Sequence, residues 1–157
     1  MTWQVTPAGL GDIATISTIV ERAFDPRFGE AWSAAQLRGT LSLSGSWAQL
    51  IRDETTTLGF NLCRRAGPEA ELLLVGVVPS CRGRGIGAAL VQAAFDAVNG
   101  LGIETMFLEV RDGNRAAQQL YERAGFVAVG RRRDYYRGRS AETFDAITMR
   151  RQLISPD

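Results

Sequence analysis

Val75-Gly76-Val77-Val78-Pro79-Ser80-Cys81-Arg82-Gly83-Arg84-Gly85-Ile86-Gly87-Ala88-Ala89-Leu90-Val91 passes from an apolar strand, through a basic glycine turn, into an apolar helix. In such a joint, bare backbone N–H groups and a helix N-terminus hold phosphate. Glycine gives up more backbone freedom on folding than any other residue. Gly83, Gly85 and Gly87 beside Arg82 and Arg84 therefore point to a ligand, with a purely structural turn as the bland alternative.

Upstream of the turn the pattern alternates with period two. Trp47 to Arg52 and Leu58 to Arg64 read as a hairpin turning at Asp53-Glu54. Leu58, Phe60 and Leu62 fall on one face and Cys63 on the other. Glu71 to Val78 is a third strand of this meander. Its nearly unbroken apolar run predicts a strand covered on both faces. Before the meander, Trp3 to Thr6 is a short strand closed by Pro7. A helix follows from Asp12, its N-cap, with Ile13, Ile16, Ile19, Val20 and Phe24 on one face. Asp25 to Trp32 is a loop, and Ser33 caps a second helix burying Leu37 and Leu41.

Downstream, the helix from Gly85 to Asn99 is apolar apart from the stripe Gln92, Asp96 and Asn99, which predicts burial. Gly100 and Gly102 stop it. Glu104 to Val110 is the next strand. Asn114 caps a helix to Ala124 that presents Ala117, Leu120, Tyr121 and Ala124, and Gly125 ends it. Phe126 to Val129 and Thr143 to Arg150 are the last strands, joined by a segment rich in Arg and Tyr. The order is β, two helices, three strands, helix, strand, helix, two strands. It predicts an α+β, or mixed α/β, layer fold whose first half is largely antiparallel. A chain of 157 residues is expected to be a single domain over 1–157.

Composition removes several functions. Net charge is +1, which gives no bulk attraction to nucleic acid or to a membrane. All 18 basic residues are Arg and no His occurs, so Ser-His-Asp triads, Cys-His pairs and ordinary zinc sites are ruled out and no metal is expected. Cys63 and Cys81 form no disulfide framework and suit a reducing compartment. Met1 to Val5 does not read as the start of a leader, and no apolar run approaches the ~18 residues of a membrane span. The expected location is the cytoplasm.

Gly83 to Ala88 formally matches the dinucleotide pattern G-x-G-x-x-G/A, with Glu109 about twenty residues further on. A doubly wound sheet opens with this unit and then continues through several βα repeats, whereas here one strand–helix unit and a hairpin remain. A Walker loop is excluded by the absence of Lys.

Read as Arg82-x-x-Gly85-x-Gly87, the turn resembles that of the GNAT acetyltransferases. Leu108-Glu109-Val110-Arg111 and Asn114-x-x-Ala117-x-x-Leu120-Tyr121-x-x-x-Gly125-Phe126 follow at that family's spacing. The likeness is close from about Glu69 to Tyr136. Within the family the chain is similar to bacterial ribosomal-protein N-terminal alanine acetyltransferases. Arg132-Arg133-Asp134-Tyr135-Tyr136, Asp145 to Met149 and, loosely, Gly29 to Ser33 carry that resemblance. It implies a central, mostly antiparallel sheet of six or seven strands with about four helices. It also implies a monomer or weak homodimer that uses acetyl-coenzyme A and acts on a protein N-terminus, with a ribosomal protein as one acceptor. A small-molecule amine, a lysine side chain, or coenzyme binding without catalysis are the alternatives.

The resemblance gives the coenzyme to Val75, Gly76 and Val77 as a strand edge, and to Arg82, Gly83, Arg84, Gly85, Ile86, Gly87 and Asn114. It makes Glu109 the base, acting through water, and Tyr121 the acid. Their structural alternatives are a carboxylate paired with Arg111 or Arg115 and a core aromatic. A phenol, with a pKa near ~10, stays protonated while a thiol of ~8.5 departs as thiolate. Tyr135, Tyr136 and Asp134 are acceptor-groove candidates together with Trp32 and the rest of the loop Phe28 to Trp32, with a solvated hairpin carrying two packed aromatics as the alternative. Arg131, Arg132, Arg133, Arg137 and Arg139 read as a solvated arm or as a contact for an acidic peptide or ribosomal surface. Cys81 sits beside Arg82, but the family transfers without an acyl-enzyme, so no role is expected for it.

Overall fold

The computed structural model describes residues 2–154, so Met1 of the leader reading lies outside the described residues. Strand β1 (Gln4–Ala8) leads into helix α1 (Ile13–Ala23), then α2 (Ala34–Leu41), β2 (Ser46–Arg52), β3 (Thr57–Ala66) and β4 (Glu69–Val77). Helix α3 (Ile86–Val98), β5 (Thr105–Arg111), α4 (Arg115–Arg123), β6 (Val127–Arg137) and β7 (Thr143–Gln152) complete the chain. The strands form one seven-stranded sheet in the order β1-β2-β3-β4-β5-β7-β6. Every pairing is antiparallel except β4 with β5. This is the expected α+β class, mostly antiparallel, with four helices.

Alternation along β3 divides the core. Leu58, Phe60 and Leu62 join the buried cluster of Ile13, Ile16, Ile19 and Leu37 from α1 and α2. Cys63 joins Val91, Ala94, Phe95 and Val98 of α3, against which Ala117, Leu120 and Tyr121 of α4 pack together with Ala124, its C-cap. Buried Asn61 ties β3 to α3, its Nδ2 donating to the Leu90 carbonyl at 2.9 Å and to Gln49 Oε1 at 2.8 Å. Each isolated leucine-sized side chain moved into such a core contributes about 1.5–3 kcal/mol. Among the described residues no helix is long and apolar enough to cross a membrane.

The pairing of β4 with β5 positions the site. It holds for three steps, Glu69↔Thr105, Ala70↔Met106 and Glu71↔Phe107. Beyond them both strands run on, β4 to Val77 and β5 to Arg111, without pairing to each other. The parallel pair opens into a cleft in mid-sheet.

Four expectations are corrected. Pro7 does not close β1, which runs to Ala8; β1 pairs with β2 alone, and an edge strand tolerates a residue without N–H. The apolar run of β4 is not covered equally on both faces, since Leu72 and Leu74 are buried while Leu73, Val75 and Val77 are half-buried. The sheet opening explains this uneven cover. Asp12 precedes α1 but does not cap it with its side chain; its carboxylate accepts the Gly9 N–H at 2.9 Å instead. The strand expected to stop at Val129 continues through the Arg- and Tyr-rich segment to Arg137. That strand lies at the sheet edge and is exposed almost throughout, so no apolar alternation marked it.

Candidate active site

The glycine turn stands at the end of β4, beside the cleft. Pro79–Cys81 form a single 3-10 turn, after which Gly83 and Gly85 adopt φ of +79° and +84°. Side chains rarely adopt that left-handed region. A Cβ at either glycine would meet nothing within 4 Å, so here the glycines leave open space beside the backbone. Gly85 is the N-cap of α3 and offers no side chain to its first-turn N–H groups. Those donors and the helix dipole remain available to an anion.

Gly87 also has a packing role. A Cβ there would lie 3.2 Å from Leu120 Cδ2, so this glycine lets α3 and α4 approach. Ile86 is buried and offers the site its backbone alone. Arg82 donates from its guanidinium to the carbonyl of Ala23 at 2.7 Å, bracing the turn against the end of α1. Arg84 stands exposed between the two left-handed glycines. Val75, Gly76 and Val77 form the β4 edge that β5 leaves unpaired. Asn114 caps α4, its side chain accepting the Ala117 N–H at 3.2 Å.

Glu109 lies across the cleft on β5, directly opposite Thr148 of β7. Its Oε2 accepts the Thr148 hydroxyl at 2.6 Å and its Oε1 is 3.1 Å from Arg132 Nε. The expected partners Arg111 and Arg115 do not hold it. Arg111 instead meets Glu30, Nε to Oε1 at 2.8 Å, with side chains only 13% and 14% exposed. Glu30 comes from the loop after α1, and no local spacing reveals that contact.

Tyr121 is half-buried on α4, edge-on to Phe126 with ring centroids 6.0 Å apart. Burial above all, and then the Glu30 carboxylate and Cys63, push its hydroxyl well above the ordinary phenol range. The same holds for Tyr136, through burial first and then the charges of Glu30, Tyr135, Glu109 and Tyr121. Tyr135 is 46% exposed and is also raised, by burial and by Glu109. Tyr136 therefore lies within electrostatic reach of Glu30, Glu109, Tyr121 and Tyr135 and stands at the centre of the group. Trp32 is half-buried against the α1 and α2 side of the core, where packing already accounts for it.

A bulge aims the two tyrosines. Arg132 pairs with Ala146 and Tyr136 with Phe144, so Arg133 to Tyr135 oppose Asp145 alone. Bulges re-aim side chains in this way next to functional sites. Asp134 sits at φ +52°, with its N–H on Asp145 Oδ1 at 3.0 Å and its own Oδ1 accepting Thr143 at 2.8 Å. Arg131 bridges Asp112 and Asp145 at 2.6 and 2.9 Å. The basic segment is largely a strand, solvated along almost its whole length and braced at Arg131.

The 25–32 loop packs onto the ends of β5 and β7. Arg111 Cζ lies 3.7 Å from the Phe28 ring centroid, and Phe28 meets Phe144 of β7 edge-on at 5.2 Å. Side chains on Gly29 and Gly138 would run into the carbonyls of Arg137 and Arg27, so loop and hairpin touch backbone to backbone. Sequence reasoning placed Glu30 in the groove loop without its partner Arg111, and missed Arg132 and Thr148 as parts of the site. Their partners lie one or two strands away or in a distant loop.

Comparison with known proteins agrees with this geometry. Residues 14–126 match the model of the acetyltransferase (GNAT) family. The N-alpha-acetyltransferase RimI of Mycobacterium tuberculosis is 46% identical over 131 residues, covering 81% of this chain and 79% of the relative. The [ribosomal protein bS18]-alanine N-acetyltransferase of Haemophilus ducreyi is 33% identical over 129 residues, covering 77% and 88%. The crystal structure of the ribosomal-protein-S18-alanine N-acetyltransferase from Escherichia coli superimposes with a TM-score of 0.87 at 25% identity, over 99% of this chain and 97% of that one. With the cleft, the glycine turn and a family match over most of its length in agreement, the chain belongs to the GNAT acetyltransferases.

Proposed function

We propose that the chain transfers an acetyl group from acetyl-coenzyme A to the α-amino group of a protein N-terminus, with a ribosomal protein bearing N-terminal alanine as the acceptor class. One observation carries the reading. The sheet opens between a phosphate-ready glycine turn and a carboxylate–tyrosine cluster, so donor and acceptor reach the cleft from opposite sides. The coenzyme thioester supplies the activated acetyl group. The amides around Gly83 and Gly85 and the free edge at Val75 to Val77 fit its pyrophosphate and its amide-bearing arm. Asn114 is a further candidate contact beside its capping role.

Glu109 takes a proton from the acceptor ammonium, directly or through one water. Tyr121 holds a proton at its Oη for the leaving sulfur, and its burial keeps that proton in place through the working range. A new N–C bond replaces the C–S bond. Of the two protons the ammonium loses, one passes to Glu109 and on to solvent, and the second, shed by the nitrogen after attack, replaces the proton that Tyr121 gives to the sulfur. Acceptor choice follows from magnitudes. An α-amine has a pKa of about 7.7–8.0 and a lysine about 10.4, so about one terminal amine in ten is uncharged at neutral pH, against well under one lysine in a thousand. A carboxylate is the better match to the former. Tyr135 and Tyr136 line the acceptor side, with the loop carrying Trp32 above them. The cytoplasm suits such an acceptor.

Incubation with acetyl-coenzyme A and an alanine-terminated ribosomal-protein peptide is expected to add one acetyl group at the N-terminus, read by mass spectrometry with release of free coenzyme A. Preference for a metabolite amine or an internal lysine over every peptide would overturn the acceptor. Coenzyme binding without turnover on any amine would overturn the catalysis.

A further inference from the structure

The two oxygens of the Glu109 carboxylate are both engaged, and unequally. Oε2 takes the Thr148 hydroxyl at 2.6 Å, part-buried, from the position directly opposite on β7. Oε1 faces Arg132 Nε at 3.1 Å, through an arginine side chain that is 62% exposed while Glu109 itself is 18% exposed. In the same position the guanidinium also lies over the Tyr135 ring, at 5.6 Å. The neighbouring arginines are tied elsewhere, Arg111 to Glu30 and Arg131 to Asp112 and Asp145.

Each carboxylate oxygen keeps a second lone pair, but a guanidinium on Oε1 competes there, in charge and in space, with an incoming ammonium. The Thr148 contact is short and shielded, whereas the Arg132 contact is one-pronged and open to solvent, the kind of pair that salt and water weaken most. We infer that Arg132 is a displaceable counter-ion of the base: it covers Oε1 in the free enzyme and yields it to the ammonium of the incoming acceptor. One cation replaces another, so the half-buried carboxylate is not left unpaired, which would be costly. Once the proton has passed from nitrogen to Oε1, the neutral carboxyl no longer attracts a cation. When that proton leaves to solvent, Arg132 returns. Arg132 is thus a positioning residue that competes with the acceptor.

This rests on Glu109 being the base, and the experiment separates the two claims. Steady-state kinetics with an alanine-terminated peptide are expected to show that R132Q lowers the acceptor KM about two- to fivefold, the range an exposed ion pair commands. The acetyl-coenzyme A KM stays put, and R132K returns the acceptor KM to its wild-type value. A rise in acceptor KM, no change, or equal movement of both KM values overturns the inference. E109Q is measured alongside. Wild-type turnover in E109Q breaks the base assignment, whereas a dead E109Q with an unmoved R132Q breaks the counter-ion alone. A second readout does not need turnover. The Arg132 15Nε resonance, identified by its loss in R132K, is expected to shift when the peptide joins the coenzyme A-bound enzyme and to stay still with the N-acetylated peptide. A resonance unmoved by the free amine overturns the displacement.

Discussion

Two carboxylate–arginine pairs flank Tyr136, and they are built for opposite purposes. Glu30–Arg111 is sealed, at 2.8 Å and with both side chains under 15% exposed. It is stacked on Phe28, which in turn packs on Phe144. Glu109–Arg132 is longer, at 3.1 Å, and its arginine is mostly in water. The first joins a loop to the ends of β5 and β7; the second leaves a carboxylate within reach of a reactant. Charge type and cleft are common to both pairs, so burial separates structure from chemistry. A charge held in a dry, packed setting is expensive to move, while one with a solvated partner exchanges easily.

The contrast breaks first, and most visibly, on catalysis. Glu109→Gln is expected to lower kcat by about 10²–10⁴, the range of a lost general base. Glu30→Gln is expected to leave kcat within a few-fold. Peptide turnover followed by coenzyme release measures both. A Glu30 variant that lost as much kcat as the Glu109 variant would make Glu30 a reacting group and dissolve the distinction.

The two pairs also differ in how far the sequence announces them. Glu109 and Tyr121 sit in short contiguous motifs after the glycine turn, and that whole donor end is local chain, so spacing along one strand and one helix is enough to read it. The acceptor end is assembled from residues far apart. Glu109 and Arg111 share a face of β5 by period-two alternation, which made their pairing a fair expectation. Glu30, from a loop with no regular pattern, took Arg111 instead. Arg132 reached Glu109 from β6, across β7, in a strand whose charged, exposed sequence carries no strand signal. Three-dimensional register set these contacts, and a single sequence does not print register.

Stability sharpens the comparison next. Arg111→Leu strands the Glu30 carboxylate in a packed setting. It is expected to cost about 3 kcal/mol, as breaking a buried pair from one side does. At ~2–4 °C per kcal/mol for a domain of this size, the midpoint of thermal unfolding falls by about 6–12 °C. The double variant Glu30→Leu with Arg111→Leu is expected to recover much of that loss, because no charge is then left unpaired. A double variant as unstable as the sum of its singles would show that the pair is not coupled as the 2.8 Å contact implies.

The smallest effect belongs to Arg132. With 62% of its side chain in solvent, its attraction to Glu109 is screened, and exposed pairs contribute about 0–1 kcal/mol. Arg132→Gln is therefore expected to move the unfolding midpoint by no more than about 2–4 °C, even though Glu109 is the proposed base. Thr148 stays hydrogen-bonded to the other oxygen, which keeps the carboxylate oriented when the guanidinium is gone. A loss as large as that of Arg111→Leu would mean that Arg132 anchors the β6 edge as Arg111 anchors the loop. An anchor of that kind does not give way to an amine, so a thermal melt of this one variant also bears on whether Arg132 is free to move aside.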